Sequence, residues 1–360
     1  MKEIYLTDLD LENYRNFIDY RVSNLSPFVN IIIGPNGSGK TNILESISLL
    51  APGRGLKVAK YEEICHKNTP SWRSKFIMQS KLGLAEILMQ YHKESKRIIE
   101  YNGSKLPSCE LVKICNLIWI TPQMDSFFSG PSSVRRKFID RVAYNFYPQH
   151  IKHLTKYEYY QQERIKFITA NGCNSSTGWL SNIEEKLVDE ALIINNARNE
   201  TLTHMQKAME SLEFDFPKAK LSLSDFDEGV SFASISKVKY LELLEKYRKK
   251  DMYSNKTSVG THRTDLVVKY TDKNSIAKQC STGEQKALLI SLILASIDSI
   301  ISTTNSKPLL LLDELFVHLD SERRKELSKY ILNTKIQTFI TTTDMIGFDL
   351  LKQHANIINL

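Results

Sequence analysis

The 360-residue sequence is short of cysteine, with five residues and no Cys-x-x-Cys pair, which excludes a disulfide framework and a zinc ribbon. Long apolar runs are missing too. The longest, 287–297, covers eleven residues with two serines inside it, too short to cross a bilayer. No apolar run with a small-residue cleavage site follows Met1-Lys2-Glu3-Ile4, so no secretory signal is expected. Together these absences point to a reducing cytoplasm. There is no proline-rich linker and no repeat of about 20 to 50 residues. Neither histidine nor cysteine recurs at metal-ligand spacing. With 42% hydrophobic and 25% charged residues the chain is an ordinary folding one, and its length predicts two structural units.

The net charge of +7 is unevenly spread. Residues 54–105 carry eleven Lys/Arg against five Asp/Glu, 130–166 eight against three, and 235–256 seven against three. Residues 184–228 reverse the sign, with five basic against eleven acidic. Such segregation fits either a basic face turned to a polyanion or a set of solvated lysine-rich helix faces.

The first and last thirds read as strands alternating with helices. Strand text covers 4–17, 28–33, 75–100, 117–120, 221–230, 259–270, 308–312 and 338–343, and helices are predicted over 41–50, 283–300 and 322–332. From Ser132 to about Leu212 glycine falls to Gly172 and Gly178, and charged text with a 3.6-residue period takes over. The segment Gly172–Gly178 is expected to be the loop of an antiparallel helical arm. The prediction is an α/β domain split between 1–128 and 256–360 and interrupted by a mostly helical arm over 129–255.

Gly34-Pro35-Asn36-Gly37-Ser38-Gly39-Lys40-Thr41 fits G-x-x-x-x-G-K-[ST] between a predicted strand and a predicted helix, the context of a phosphate-binding loop. Its glycines let backbone N–H groups turn onto phosphate oxygens, and the helix N-terminus adds positive potential. Lys40 would reach the β- and γ-phosphates of ATP, and Thr41 would ligate Mg²⁺. The run Pro308-Leu309-Leu310-Leu311-Leu312-Asp313-Glu314 reads as a buried parallel strand ending at the ligand edge. Asp313 is then the Mg²⁺ partner and Glu314 the base that orients the attacking water. Ser281-Thr282-Gly283-Glu284-Gln285 opens the apolar helix and has the form of a capping box, with Ser281 as N-cap and Glu284 three residues on.

In its place between P-loop and acidic strand, that last segment resembles the signature motif of ABC-type ATPases. Asn13-Tyr14-Arg15-Asn16-Phe17, Ser129 through Arg141 (Ser-Gly-Pro-Ser-Ser-Val-Arg-Arg-Lys-Phe-Ile-Asp-Arg) and Gly260-Thr261-His262-Arg263-Thr264-Asp265-Leu266 resemble, in order, segments of the RecF family of SMC-like ATPase heads. The resemblance runs from residue 4 to residue 344. It implies a P-loop ABC-type ATPase head, and an ATP-dependent homodimer in which Ser281, Thr282, Gly283, Glu284 and Gln285 complete the partner's ATP site. It also implies recognition of gapped, single-strand–double-strand junction DNA, RecA loading with RecO and RecR, and a part in the SOS response. Arg15 would contact a phosphate, Gln123 would stand at the Q-loop position, and Arg135, Arg136, Lys137 and Arg141 would track a DNA backbone, although a charge run is also the usual dress of a helix surface. Asp313-Glu314 stands where the family often has paired aspartates, and Val317-His318-Leu319-Asp320 keeps only Leu-Asp of the usual Ser-Glu-Leu-Asp. The switch histidine of ABC transporters is absent, with Thr341, Thr342 or Thr343 in its place.

A transporter ATPase subunit would put roughly a hundred residues between P-loop and signature, whereas about 240 separate Thr41 from Ser281. An SMC-type chromosome or repair ATPase head would need a long heptad insert, and the arm of about 80 to 120 residues holds no sustained a/d register.

Overall fold

The structure, a computed structural model, describes residues 4–172, 178–213, 215–224 and 234–360. The chain divides into two compact units: 1–125 with 211–216 and 290–360, and 126–210 with 217–289. The second unit thus includes 256–289, a segment that sequence pattern assigns to the head.

In the first unit, β1 (Tyr5–Tyr14) turns into β2 (Phe17–Val22), and β3 (Val29–Ile33) runs into the P-loop and α1 (Lys40–Ser48). A short α2 (Tyr61–Ile64) precedes β4 (Ser71–Ser80), β5 (Gly83–His92), β6 (Ser95–Tyr101) and β7 (Ser104–Lys105), and then comes β8 (Leu117–Ile120). The second unit holds α3 (Ser132–Phe146), α4 (His150–Asn171), α5 (Gly178–Ser211), β9 (Ala219–Ser224), α6 (Lys237–Ser254), β10 (Asp265–Tyr270), β11 (Ser275–Ile276) and the first turns of α7 (Thr282–Thr304). The rest of α7, β12 (Leu309–Asp313), α8 (Ser321–Thr334), β13 (Thr338–Thr342), α9 (Asp349–Lys352) and β14 (Ala355–Asn359) belong to the first.

Two sheets form the first unit. One is antiparallel, in the order β2-β1-β4-β5-β6-β7. In β1 Leu6, Leu9 and Leu11 are buried, and the register shift between Leu6 and Asp8 corrects the alternation. The other sheet, β14-β3-β13-β12-β8, is parallel throughout. Leu309, Leu310, Leu311 and Leu312 are all buried, as continuous apolar strand text predicts, and each contributes about 1.5–3 kcal/mol of burial. The helix α1 covers this sheet with Ile43, Leu44 and Ile47.

In the second unit α4 and α5 run antiparallel: His153 meets Glu190, Arg164 meets Glu184, and Phe167 packs on Trp179. Residues 173–177 of the predicted arm loop, and 225–230 of the strand expected over 221–230, lie outside the described residues. Tyr157, Leu187, Val188, Ala191, Ile194, Tyr240, Leu244 and Val259 form one core between α4, α5 and α6. The strand expected over 259–270 begins only at Asp265, because Gly260 at φ 142° opens a turn closed by Arg263 N–H on Gly260 C=O.

The apolar run at 287–297 is the middle of the 23-residue α7, which by length and composition could cross a membrane. Most of that length is buried: Leu288, Ile290, Leu292, Ile293, Ala295 and Ile297 have no more than 1% of their surface exposed, so α7 is a core helix.

Candidate functional site

Parallel strands bring their C-terminal ends to one edge, and β3, β12 and β13 deliver the P-loop, Asp313-Glu314 and Thr341-Thr342 there. Gly37 (φ 84°) and Gly39 (φ 110°) take the left-handed backbone the loop requires. A Cβ on Gly39 would also fall 2.5 Å from Phe17 Cζ, so only glycine lets the loop lie against the β1–β2 turn.

Lys40 is buried, and its Nζ donates to the carbonyls of Gly34 (2.8 Å) and Pro35 (3.0 Å). Glu314 Oε1 stands 3.8 Å from the same nitrogen. The hydroxyl of Thr41 donates to Asp313 Oδ1 at 3.0 Å, and the hydroxyl of Thr341 donates to the same oxygen at 2.7 Å. Burial pushes the Asp313 carboxyl above its ordinary range, against the pull of those two donors. Glu314 follows in a left-handed conformation, φ 51°, with its N–H donated to Thr341 Oγ1 at 3.0 Å. The structure therefore separates the three threonines. Thr341 touches the acidic pair, Thr342 caps Asp344 C=O, and Thr343 is exposed.

Arg15 stands in the β1–β2 turn, beside α1. Its guanidinium forks onto the fully buried carboxylate of Glu45 (2.7 and 2.5 Å) and donates to Glu63 C=O, so the residue ties the β1–β2 turn to α1. Its neighbour Asn16 reaches the loop instead, donating to Ser38 C=O at 3.0 Å and accepting from Asn42 at 2.7 Å. Asn42 in turn accepts from Lys57 Nζ at 2.7 Å. Sequence reading missed Asn16, Asn42, Glu45 and Lys57; Asn16 lay inside the quoted motif. Gln123 is exposed on the short 3₁₀ turn after β8, whose C-terminal end shares the site's edge.

Within the second unit, Ser281, Thr282 and Gly283 are exposed at the start of α7. The expected capping box is there: Ser281 N–H and Oγ both donate to Glu284 Oε2 at 2.9 Å. Lys273, from the β10–β11 turn, closes an ion pair on Glu284 Oε1, and with the Ser281 donors it holds that carboxyl down at about 2. Gln285 donates to Cys280 C=O at 2.9 Å.

Three of the four basic side chains of the α3 run are engaged within the unit. Arg135 is buried, forked onto Asp265 at 2.8 and 2.7 Å, and donates to the carbonyls of Phe127, Phe128 and Gly130. Arg136 donates to Thr264 C=O, and Arg141 lies over the Phe138 ring, where burial pulls its guanidinium down to about 9. Of the four, only Lys137 is exposed. The Gly260–Asp265 turn is likewise built in: Arg198 grips Asp140 in a fork and donates to Thr261 and Thr264, while His262 lies between Tyr157 OH (2.7 Å) and Thr257 C=O (2.8 Å). Burial lowers the His262 imidazole to about 4, so it stays neutral.

The family described as RecF/RecN/SMC N terminal domain matches residues 5–358. Over 363 residues the chain is 44% identical to the DNA replication and repair protein RecF of Rickettsia conorii, with both chains covered in full. The chain belongs to the RecF family. Another member, from Rickettsia bellii, is 43% identical over 365 residues, again with full coverage of both. Among solved structures, the recombination mediator protein RecF-ATP in the RecFOR pathway superposes with a TM-score of 0.84 at 25% identity, over 95% of this chain and 92% of that one. An Smc head domain with an extended coiled coil from Pyrococcus furiosus shares the fold, with a TM-score of 0.55 at 16% identity over 99% and 93% of the two chains.

Proposed function

We propose that this RecF-family head is an ATP-dependent DNA-binding protein of recombinational repair and replication in the cytoplasm. It closes as a homodimer on gapped DNA and, with RecO and RecR, promotes RecA loading in the SOS response. The observation that carries the nucleotide reading is the hydrogen bond from Thr41 to Asp313, which joins the P-loop to the acidic strand over 272 residues of sequence. The donor set fits a nucleotide with Mg²⁺: a hydroxyl and a carboxylate on one side, a glycine-built backbone cradle on the other. Bound Mg²⁺ supplies charge neutralisation on the phosphates; Thr41 and Asp313 would hold it.

The chain's own groups then have distinct tasks. Lys40 can exchange the carbonyls of Gly34 and Pro35 for phosphate oxygens, and in doing so leaves Glu314. Glu314, relieved of that cation, can accept the proton of an attacking water. The exposed Ser281–Gly283 helix start, with Glu284 neutralised by Lys273, offers N–H groups to an anion brought by a second copy.

Two outcomes test this. Lys40→Met removes a charge-assisted contact of about 1.5–3 kcal/mol, so ATP affinity in equilibrium titration should fall roughly tenfold to a hundredfold; unchanged affinity would remove the site from the P-loop. Ser281→Arg should keep that affinity yet abolish ATP-dependent dimerisation in light scattering, because a bulky cation fills the helix start. A Ser281→Arg protein that dimerises with ATP like the parent would reduce the segment to an ordinary helix cap.

A further inference from the structure

One of the three threonines at the end of β13 touches both members of the acidic pair. We propose that Thr341 is a positioning residue of the nucleotide site, its single hydroxyl setting both the metal-facing carboxylate of Asp313 and the backbone turn that aims Glu314. The proposal rests on the nucleotide reading and deepens it.

The hydroxyl is fully buried at the end of β13, and β-branching limits its χ1 freedom. It donates to Asp313 Oδ1 at 2.7 Å and accepts Glu314 N–H at 3.0 Å. Oδ1 already takes the Thr41 hydroxyl, so two donors, one in the first turn of α1 and one at the end of β13, hold the carboxylate in place. The second bond matters as much. Glu314 is held at φ 51°, a backbone state that costs a non-glycine residue on the order of 1 kcal/mol or more and persists only when its surroundings impose it. The Thr341 oxygen is the acceptor that satisfies that turn's N–H. Were the peptide to relax, the Glu314 carboxylate would swing away from Lys40, its present neighbour at 3.8 Å. Thr41 cannot substitute for this role, since its own oxygen is needed for the metal.

The test compares Thr341→Val, which keeps shape and branching but has no hydroxyl, with Thr341→Ser, which keeps the hydroxyl. A fluorescent mant-ATP is titrated onto each in Mg²⁺ and again in EDTA, with thermal midpoints recorded. Thr341→Val is expected to bind mant-ATP five- to twentyfold more weakly in Mg²⁺ and like the parent in EDTA, while Thr341→Ser stays within about twofold in both, on the scale of one lost hydrogen bond. In an Asp313→Asn background the valine substitution should add nothing in Mg²⁺. A valine variant that matches the parent in Mg²⁺, or loses affinity equally in EDTA, would overturn the positioning role while leaving the nucleotide site standing. A parent that binds no mant-ATP would overturn both.

Discussion

Glu314→Gln lowers ATP turnover by about 10²- to 10⁴-fold, the usual contribution of a positioned general base, while nucleotide binding survives. Glutamine keeps the length and hydrogen-bonding shape of the side chain but cannot take up a proton. Binding should be equal or tighter, because the substitution removes a negative charge that stands 3.8 Å from Lys40 and competes with phosphate for it. With chemistry blocked and binding intact, the ATP-bound state should accumulate, and size-exclusion chromatography in ATP should show a persistent dimer. Single-turnover hydrolysis separates this from a binding defect. Parental turnover in the variant would transfer the base role to another group.

The second large effect is on stability. Arg164 is fully buried and donates to Glu184 (2.9 Å), Asp251 (2.7 Å) and Leu244 C=O (2.9 Å), which ties α4, α5 and α6 at one point. Arg248 pairs with the same Glu184. Arg164→Met leaves Asp251 without its counter-ion in an apolar setting, and breaking such a buried pair costs about 3–5 kcal/mol. The melting of the second unit should fall by roughly 10 °C. Replacing Arg164, Glu184, Asp251 and Arg248 together with apolar residues of similar volume should recover much of the loss, since the desolvation penalty of all four then disappears. A single variant that melts like the parent would mean that the charges are hydrated after all.

The P-loop, the leucine strand ending in Asp313 and the capping box at Ser281 were legible because local spacing alone imposes their chemistry. The Arg15–Glu45 pair was not legible, because Glu45 sits on α1 and looks from sequence like one more solvent-facing acid. Arg135 could have been read correctly: with Phe138, Ile139 and Val142 it falls at i, i+3, i+4 and i+7, the buried stripe of α3, so its charge needed an internal partner. A stripe of the same kind, Tyr240, Leu243 and Leu244 with Asp251 two turns beyond Leu244, lay hidden in the lysine-rich text of α6. The edge strand β14, five residues with half-buried alternation, carries too little pattern to be seen.

The order of the parallel sheet has a consequence for how the protein is made. Strand β3 emerges from the ribosome early, but both of its neighbours, β13 and β14, lie some 300 residues later in the chain. Until they are synthesised the P-loop hangs from a strand with two open edges, exposed to chaperones and to wrong pairing. A polypeptide cut short anywhere before residue 338 lacks both partners of that strand, while its helical second unit can already be complete. Nucleotide affinity therefore doubles as a check on synthesis: translation must pass β13 before the site can exist.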